Sequence, residues 1–495
     1  MQLNGENILK VSSSIITISK VNEVYVKIHC EQGEAMELSE YFTFYVPGYK
    51  FMPAFRRKVW DGKIRLFDRQ TNTIYSGLLH YIEKFCNEHN YKIQYDASID
   101  LADEFSLNEA EEFIKTLNLP FEVRDYQLDA FVYAIRNRRG LLLSPTASGK
   151  SLIVYLITRY LQCKTLIIVP TISLVSQMYK DFKDYGFDSD THCHTITSGA
   201  DKTTKKLITI STWQSIYKLP TEWFAQYDLV IGDEAHLFKA QSLTKIMTKL
   251  TDCAYRFGLT GTLDGTQTHR LVLEGLFGKV RQIVTTKELI DNKKLADFKI
   301  KALVLKHNEI SCDANKKSSY QEEIEYLISS VERNKFITNL TISLKHNTLV
   351  LYQFVHKHGQ NLYEMIVSKA GDRKVFFVHG GIEAEEREMI RETTEKEENA
   401  IIIASYGTFS TGINIKRLHN IVFASPSKSK IRTLQSIGRV LRLGENKNKA
   451  TLFDIADDLS YKSRKNFTLE HFVERMKIYN EEKFEYKIYS FNLKG

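Results

Sequence analysis

Residues 140–161 read GLLLSPTASGKSLIVYLITRYL. An apolar run ends in a loop of small residues, and apolar positions then recur at helical spacing, so the stretch predicts strand, loop and helix. Within it, Ser144-Pro-Thr146-Ala147-Ser148-Gly149-Lys150-Ser151 has the spacing of a phosphate-binding loop, with Ser144 in place of the usual first glycine. Such a loop needs inward-pointing backbone N–H groups at a helix N-terminus, a lysine for the outer phosphates and a hydroxyl for Mg²⁺. Thr146, Ala147, Ser148 and Gly149 supply the first, Lys150 the second and Ser151 the third.

The same alternation continues on both sides. KTLIIVPTISLVSQMYKDF (164–182) repeats strand, loop and helix, and LITIST (207–212) and YDLVIGDEAH (227–236) add apolar runs without alternation, as strands buried on both faces require. A second series follows the lysine-rich turn near 291–294: NTLVLYQF (347–354), KVFFVHGG (374–381), AIIIASYG (400–407), NIVFAS (420–425) and ATLFDIAD (450–457), with the helical EAEEREMIRETTEKEE (383–398) among them. Two consecutive α/β units of one architecture are expected, with facing edges that form a cleft.

The second unit starts near residue 289 and runs to 495, ending in a helical tail; the first spans 106–288. Residues 1–105 differ in character. EVYVKIHCE (23–31), the aromatic-rich stretch 41–68 and YKIQYD (91–96) favour strands, and LLHYIEKFCNEHN (78–90) favours a helix, which predicts a small α+β module. The acidic stretch 97–113 reads as a connector into the first unit.

Two further clusters carry chemistry. Asp233 and Glu234 close an apolar run, which places two carboxylates at the carboxyl end of a parallel strand, where α/β sheets put ligands. Beside a phosphate-binding loop, Asp233 suits Mg²⁺ held mainly through water, and Glu234 suits orientation of the water that attacks the outer phosphate of ATP. In the second unit Gln435, Arg439 and Arg442 occupy a helical pattern with the arginines at i and i+3. Planar, fixed cations of this kind suit a γ-phosphate.

Composition bounds the alternatives. A chain of 495 residues with 43% hydrophobic and 26% charged residues is too long for one core and too apolar for disorder, so several domains, roughly three, are expected. The formal charge of +8 fits a polyanionic partner. Six cysteines without a CxxC pair read as reduced thiols, and His192-Cys193-His194 lacks a second half for a metal site. No window approaches the roughly 20 apolar residues of a membrane span, so a cytoplasmic protein is expected, in the host cytoplasm if phage-encoded.

Taken in order, Arg124-Asp-Tyr-Gln127, the phosphate loop, Pro170-Thr171, Ser211-Thr-Trp213-Gln, Asp233-Glu-Ala-His236, Thr260-Gly-Thr262, the stretch Ser405 to Asn414 and Gln435 to Arg442 resemble a superfamily 2 helicase over about residues 120–455. The resemblance implies two tandem RecA-like parallel-sheet motor domains beside the α+β N-terminal domain. It implies that Arg124 and Gln127 read adenine, that Thr260 and Thr262 link hydrolysis to unwinding, and that Gly412 and Asn414 sense ATP and nucleic acid together. Thr171, Trp213, Phe354, His379 and Thr408 stand where the family touches the nucleic-acid backbone. For Trp213 and Phe354 core packing remains an equal alternative.

The stretches 212–227, 257–266, 318–325, 401–416 and 427–442, with WDGKIRLFD at 60–68, look like the recombination helicases of T-even bacteriophages, apart from Ala235 in place of a cysteine. That likeness implies action on branched DNA such as Holliday junctions, forks and R-loops, by branch migration and fork regression. A single-strand-binding protein is an implied partner, and a monomer or weak oligomer the implied state.

The N-terminal module offers a substrate contact of its own. Lys50, Arg56, Arg57, Lys58, Lys63 and Arg65 interleave with Tyr49, Phe51, Phe55 and Trp60, so cations can meet phosphates while rings stack on bases. Arg57, Lys58, Trp60 and Lys63 are the candidates; a solvated basic face over an aromatic core is the alternative. An RNA helicase, a restriction-enzyme motor subunit and an annealing protein with a vestigial ATPase remain open at this point. The last predicts damaged motifs, whereas Lys150, Asp233, Glu234, Arg439 and Arg442 are all present.

Overall fold

The computed structural model describes residues 15–99, 103–197, 199–237, 240–263, 265–412, 415–426, 429–444 and 447–493. The chain divides into two compact units, Met1–Leu143 with Ser151–Ile283, and Val284–Gly495 with the short loop Ser144–Lys150.

The N-terminal strands are β1 (Ile15–Lys20), β2 (Tyr25–His29), β3 (Thr43–Tyr45), β4 (Lys63–Arg65), β5 (Phe67–Asp68), β6 (Thr73–Tyr75) and β7 (Lys92–Tyr95). Five form a mixed sheet in the order β5–β6–β2–β1–β7, and β3 with β4 makes a separate hairpin. Helix Leu79–His89 packs Ile82, Phe85 and Cys86 into the core, because apolar residues three and four apart share one helix face.

The first parallel sheet comprises β8 (Arg139–Leu143), β9 (Thr165–Val169), β10 (Cys193–Ile196), β11 (Ile208–Thr212), β12 (Leu229–Asp233), β13 (Tyr255–Thr260) and β14 (Val280–Gln282), in the order β10–β11–β9–β12–β13–β8–β14. The second comprises β15 (Asp297–Lys306), β16 (Thr348–Tyr352), β17 (Val375–Val378), β18 (Ile401–Ser405), β19 (Asn420–Phe423), β20 (Lys449–Asp458) and β21 (Tyr486–Asn492), in the order β17–β18–β16–β19–β20–β15–β21. Counted from the first strand of each, both orders are third, fourth, second, fifth, sixth, first, seventh. The two α/β units are therefore topological copies, as RecA-like motor domains are. Central strands such as β9, β11, β16 and β18 are buried along their whole length, the physical counterpart of their unbroken apolar runs.

Two expectations need correction. The acidic connector contains helix Leu107–Thr116, opened by a capping box in which Ser106 and Glu109 satisfy each other's backbone N–H groups, a start signal present in the letters. The C-terminal tail is only partly helical: helix Phe467–Glu481 leads into β21, which pairs in parallel with β15. YKIYSFN is rich in strand formers, and β21 fills the seventh position that β14 holds in the first sheet.

The N-terminal module is fixed to the first sheet's domain through one shared core. Glu274, fully buried on helix Gln267–Phe277, accepts the Tyr81 hydroxyl at 2.8 Å and the Val280 N–H at 3.0 Å. Gly77 is required there, since a Cβ would lie 2.0 Å from the Glu274 carbonyl oxygen. Arg139, at the start of β8, bonds the carboxylate of Glu23 at 3.1 Å.

Candidate functional site

In the first sheet β13 lies between β12 and β8, so the loops after these three strands share one edge. The loop after β8 folds on itself. Ser144, fully buried, donates from Oγ to Ser148 Oγ at 2.6 Å, and Ser148 Oγ donates to the Pro145 carbonyl at 2.8 Å. The serine in place of glycine thus serves as an internal strut. Ala147 and Gly149 have φ of 69° and 82°, the left-handed conformations that turn successive amides inward. Lys150 opens helix Lys150–Leu161, and its Nζ donates to the Ser144 carbonyl at 3.4 Å. Ser151 Oγ pairs with the Tyr185 hydroxyl at 2.8 Å. Burial pushes the Tyr185 hydroxyl up to about 12, against the lowering effect of that bond, so the phenol stays neutral.

Asp233 ends β12, and its Oδ1 accepts the Glu234 N–H at 2.9 Å. Glu234 has φ of 49°, a strained conformation for a non-glycine residue and typical of functional positions. His236 links the acidic box to β13. Its Nδ1 lies 2.5 Å from Thr260 Oγ1, and that hydroxyl donates to the Thr262 carbonyl at 2.8 Å. A hydroxyl has one proton, so Nδ1–H is the donor to Thr260. Glu234 Oε2 is 3.4 Å from the same nitrogen.

Gln127 is buried in the first turn of helix Asp125–Asn137, where its Oε1 accepts the Arg124 N–H at 3.0 Å. The Arg124 guanidinium donates to the Tyr126 hydroxyl at 2.6 Å.

The matching topology relates the remaining candidates in pairs. Thr171 follows β9 and Phe354 follows β16, the second strands; Trp213 follows β11 and Thr408 lies just after β18, the fourth strands. The acidic box and the arginine helix both follow the fifth. Thr171 caps helix Ile172–Asp184 with its hydroxyl. Trp213 is half-buried, packs on the first unit's core and meets Tyr217 edge-on at 5.9 Å. Phe354 is half-buried. His379 Nδ1 accepts the Gly381 N–H at 3.1 Å. Thr408 is 6% exposed and its hydroxyl pairs with Ser405 at 2.8 Å. Gly412 ends helix Tyr406–Gly412, and Asn414 lies outside the described residues.

Gln435 and Arg439 lie on helix Lys430–Val440, and Arg439 stands over the Phe409 ring at 5.6 Å. Arg442 was expected on the same helix face but follows the helix end. The cause is a turn in which Gly444 and Lys447 bridge and the buried Lys447 ammonium gathers the carbonyls of Lys416 at 3.1 Å, Arg442 at 2.8 Å and Val440.

On the N-terminal module, Tyr49 stacks on Tyr45 at 4.7 Å and meets Phe55 edge-on at 4.7 Å, forming a small core inside the excursion between β3 and β4. Gly62 allows it: a Cβ there would lie 2.3 Å from the Tyr49 ring. Trp60 turns inward and donates from Nε1 to the Lys63 carbonyl at 2.9 Å, while the Lys63 ammonium covers Tyr45 at 5.0 Å. Arg56, Arg57 and Lys58 are exposed. Two rings of this hairpin are exposed, Phe51 at 76% and Tyr45 at 54%, which the letters did not distinguish from their aromatic neighbours.

Comparison with known proteins agrees with this architecture. Residues 16–96 match the family model described as DNA helicase UvsW, N-terminal; 120–265 match the type III restriction enzyme res subunit; and 332–444 match the helicase conserved C-terminal domain. The ATP-dependent DNA helicase uvsW of Enterobacteria phage T4 is 36% identical over 95% of this chain and 98% of its own length. The chain belongs to the UvsW helicase family. The crystal structure of T4 UvsW superimposes with a TM-score of 0.51 at 34% identity, covering 97% of this chain and all of that one. The DNA 3'-5' translocase XPB2 of Sulfurisphaera tokodaii is 25% identical over 67% of this chain and 82% of its own. Of the three matched segments, the UvsW N-terminal one coincides with the module that carries the cationic hairpin.

Proposed function

We propose that this UvsW-family chain is an ATP-dependent DNA helicase that remodels branched DNA, by branch migration, fork regression and unwinding of R-loops or D-loops. One observation carries the reading: the loop after β8, the Asp233–Glu234 pair and the His236–Thr260 bond stand at one edge of the first sheet, and the module bearing the cationic hairpin shares a core with that sheet's domain. Lys150 and the amides from Thr146 to Gly149 hold the phosphates of ATP, with Gln127 and Arg124 at the adenine. Ser151 and Asp233 offer hard oxygen donors that fit Mg²⁺, an ion that keeps most of its waters and neutralises phosphate charge when bound. Glu234 orients the attacking water, and Arg439 and Arg442 stabilise charge on the transferring phosphoryl group.

Thr171, Trp213, Phe354, His379 and Thr408 mark the nucleic-acid path. Half-burial of Trp213 and Phe354 and the Ser405–Thr408 bond support a role in shaping the loops whose backbone N–H groups would meet phosphates. Arg57, Lys58 and Phe51 read the branch point.

ATPase and strand-separation rates on single-stranded DNA, forks, four-way junctions, R-loops and RNA duplexes test the proposal. Branched DNA is expected to stimulate most, with Lys150→Ala and Glu234→Gln lowering kcat at least about 100-fold. Stimulation by RNA duplexes and none by branched DNA would sink the assignment.

A further inference from the structure

Three loops of the second unit meet at one buried serine. Ser425 follows β19 and is 2% exposed. Its hydroxyl accepts the Gln353 N–H at 3.1 Å and lies 2.9 Å from His358 Nδ1, and its carbonyl accepts the Tyr406 hydroxyl at 3.0 Å. Gln353 directly precedes Phe354. Tyr406 opens the helix that contains Thr408. Ser429, four residues beyond Ser425, caps the helix of Gln435 and Arg439. None of the helicase motifs includes Ser425 or His358.

The direction of each bond follows from valence. Asn334 Nδ2 donates to the Ile328 carbonyl at 2.8 Å, so Oδ1 is the atom 3.2 Å from His358 Nε2 and accepts its proton. Nδ1 is then an acceptor, the Ser425 O–H is its donor, and the serine oxygen is left for Gln353 N–H. A single donor direction runs from Gln353 through Ser425, His358 and Asn334 to Ile328. Burial, reinforced by the nearby Arg333 guanidinium, lowers the imidazole to about 3, which keeps the neutral tautomer this chain requires. Arg333 braces the same strand end by donating to the Ala424 carbonyl at 2.8 Å, and it pairs with buried Asp457 at 2.9 Å.

The backbone is shaped around this contact. His358 sits in a π-helical turn, Val355–Gly359, a rare form that is frequent at functional sites. Gly359 completes it, because a Cβ there would lie 2.5 Å from the Tyr352 ring.

We propose that Ser425 and His358 are positioning residues of the motor, holding the Phe354 loop and the Thr408 helix in one register at the end of β19, so that nucleic-acid contact and hydrolysis change together. The inference rests on the helicase reading above and names the element that couples its loops. It predicts an effect on turnover in the presence of DNA that a loss of stability alone does not produce.

The test compares full-length Ser425→Ala, Ser425→Thr, Tyr406→Phe and Thr341→Val with the unaltered chain, measuring ATPase with and without forked DNA and thermal unfolding. Thr341 is a buried hydroxyl of the same unit that bonds only its own helix, at the Ile337 carbonyl 2.8 Å away, and serves as the stability control. Ser425→Ala is expected to cut the DNA-stimulated kcat roughly tenfold, with KM for ATP within about twofold, while Ser425→Thr and Thr341→Val stay near the unaltered rate. Tyr406→Phe is expected to lower stimulation about threefold, and it decides the matter if Ser425→Ala does not fold. Equal stimulation in Ser425→Ala and Thr341→Val, or in Tyr406→Phe and the unaltered chain, overturns the proposal. An unaltered chain that DNA does not stimulate overturns the helicase reading and this inference with it.

Discussion

Lys447 shows how one buried charge shapes a site. It is 3% exposed, and its ammonium meets three carbonyls around the end of the arginine helix. Burial lowers its pKa from 10.5 to about 7, with Glu395 opposing the shift and Arg442 adding to it. The sign follows directly. Between about pH 7 and 10 the unfolded chain keeps a proton that the folded chain has lost, so stability rises with pH in that window, by up to about 1.4 kcal/mol per unit. Lys447→Met is expected to remove that part of the slope. Urea unfolding of both proteins between pH 6.5 and 9.5 measures it, and parallel pH profiles would contradict it. Asp457 works in the opposite range: burial raises its carboxyl, but Arg333 and His307 outweigh that and hold it at about 2, so its contribution is lost only as pH falls below the ordinary carboxylate range.

Among elements, the docking of the N-terminal module is the most sharply constrained. Residues Ser76–Leu78 lie against helix Gln267–Phe277 so closely that Gly77 cannot carry a side chain. Gly77→Ala is expected to cost about 1–3 kcal/mol through forced backbone displacement, read as a lower denaturant midpoint with earlier proteolysis within residues 15–99. A midpoint equal to that of the unaltered chain would show the junction to be compliant. That helix begins a few residues after Thr262, so the module is docked on the element that follows the Thr260–Thr262 strand end. The phosphate-binding loop makes a related point: the Ser144 hydroxyl replaces a glycine's freedom with a bond to Ser148.

For the whole molecule, the net charge of +8 matters through its placement. Exposed Arg56, Arg57 and Lys58 follow the exposed Phe51 within one excursion of the N-terminal module. Each phosphate contact contributes about 0.9 to the slope of log affinity against log salt on duplex DNA. Arg57→Ala with Lys58→Ala is therefore expected to lower that slope by about 1.8 on forked DNA, and Phe51→Ala to weaken fork binding with little change in slope. Fluorescence anisotropy from 50 to 200 mM salt, in the range where such contacts dominate, measures both. An unchanged slope in the double variant would place the DNA contact elsewhere.

The letters by themselves determined what repeats locally. Buried parallel strands must be apolar throughout, so both α/β units were legible in the letters, and phosphate loops need glycine, lysine and a hydroxyl at fixed spacing, which is what made Lys150, Ser151, Asp233, Glu234 and Arg439 candidates. The capping box at Ser106 and Glu109 is written there as well. What the letters could not show depends on partners far apart in the chain. The shared strand order, the β21 edge beside β15, the close approach of Gly77 to Glu274 and the chain from Gln353 through Ser425 to Asn334 are all contacts across tens or hundreds of residues. A serine or histidine in an apolar setting has no local signature of its partner. Burial and hydrogen-bond valence, which exist only in the folded molecule, assign it.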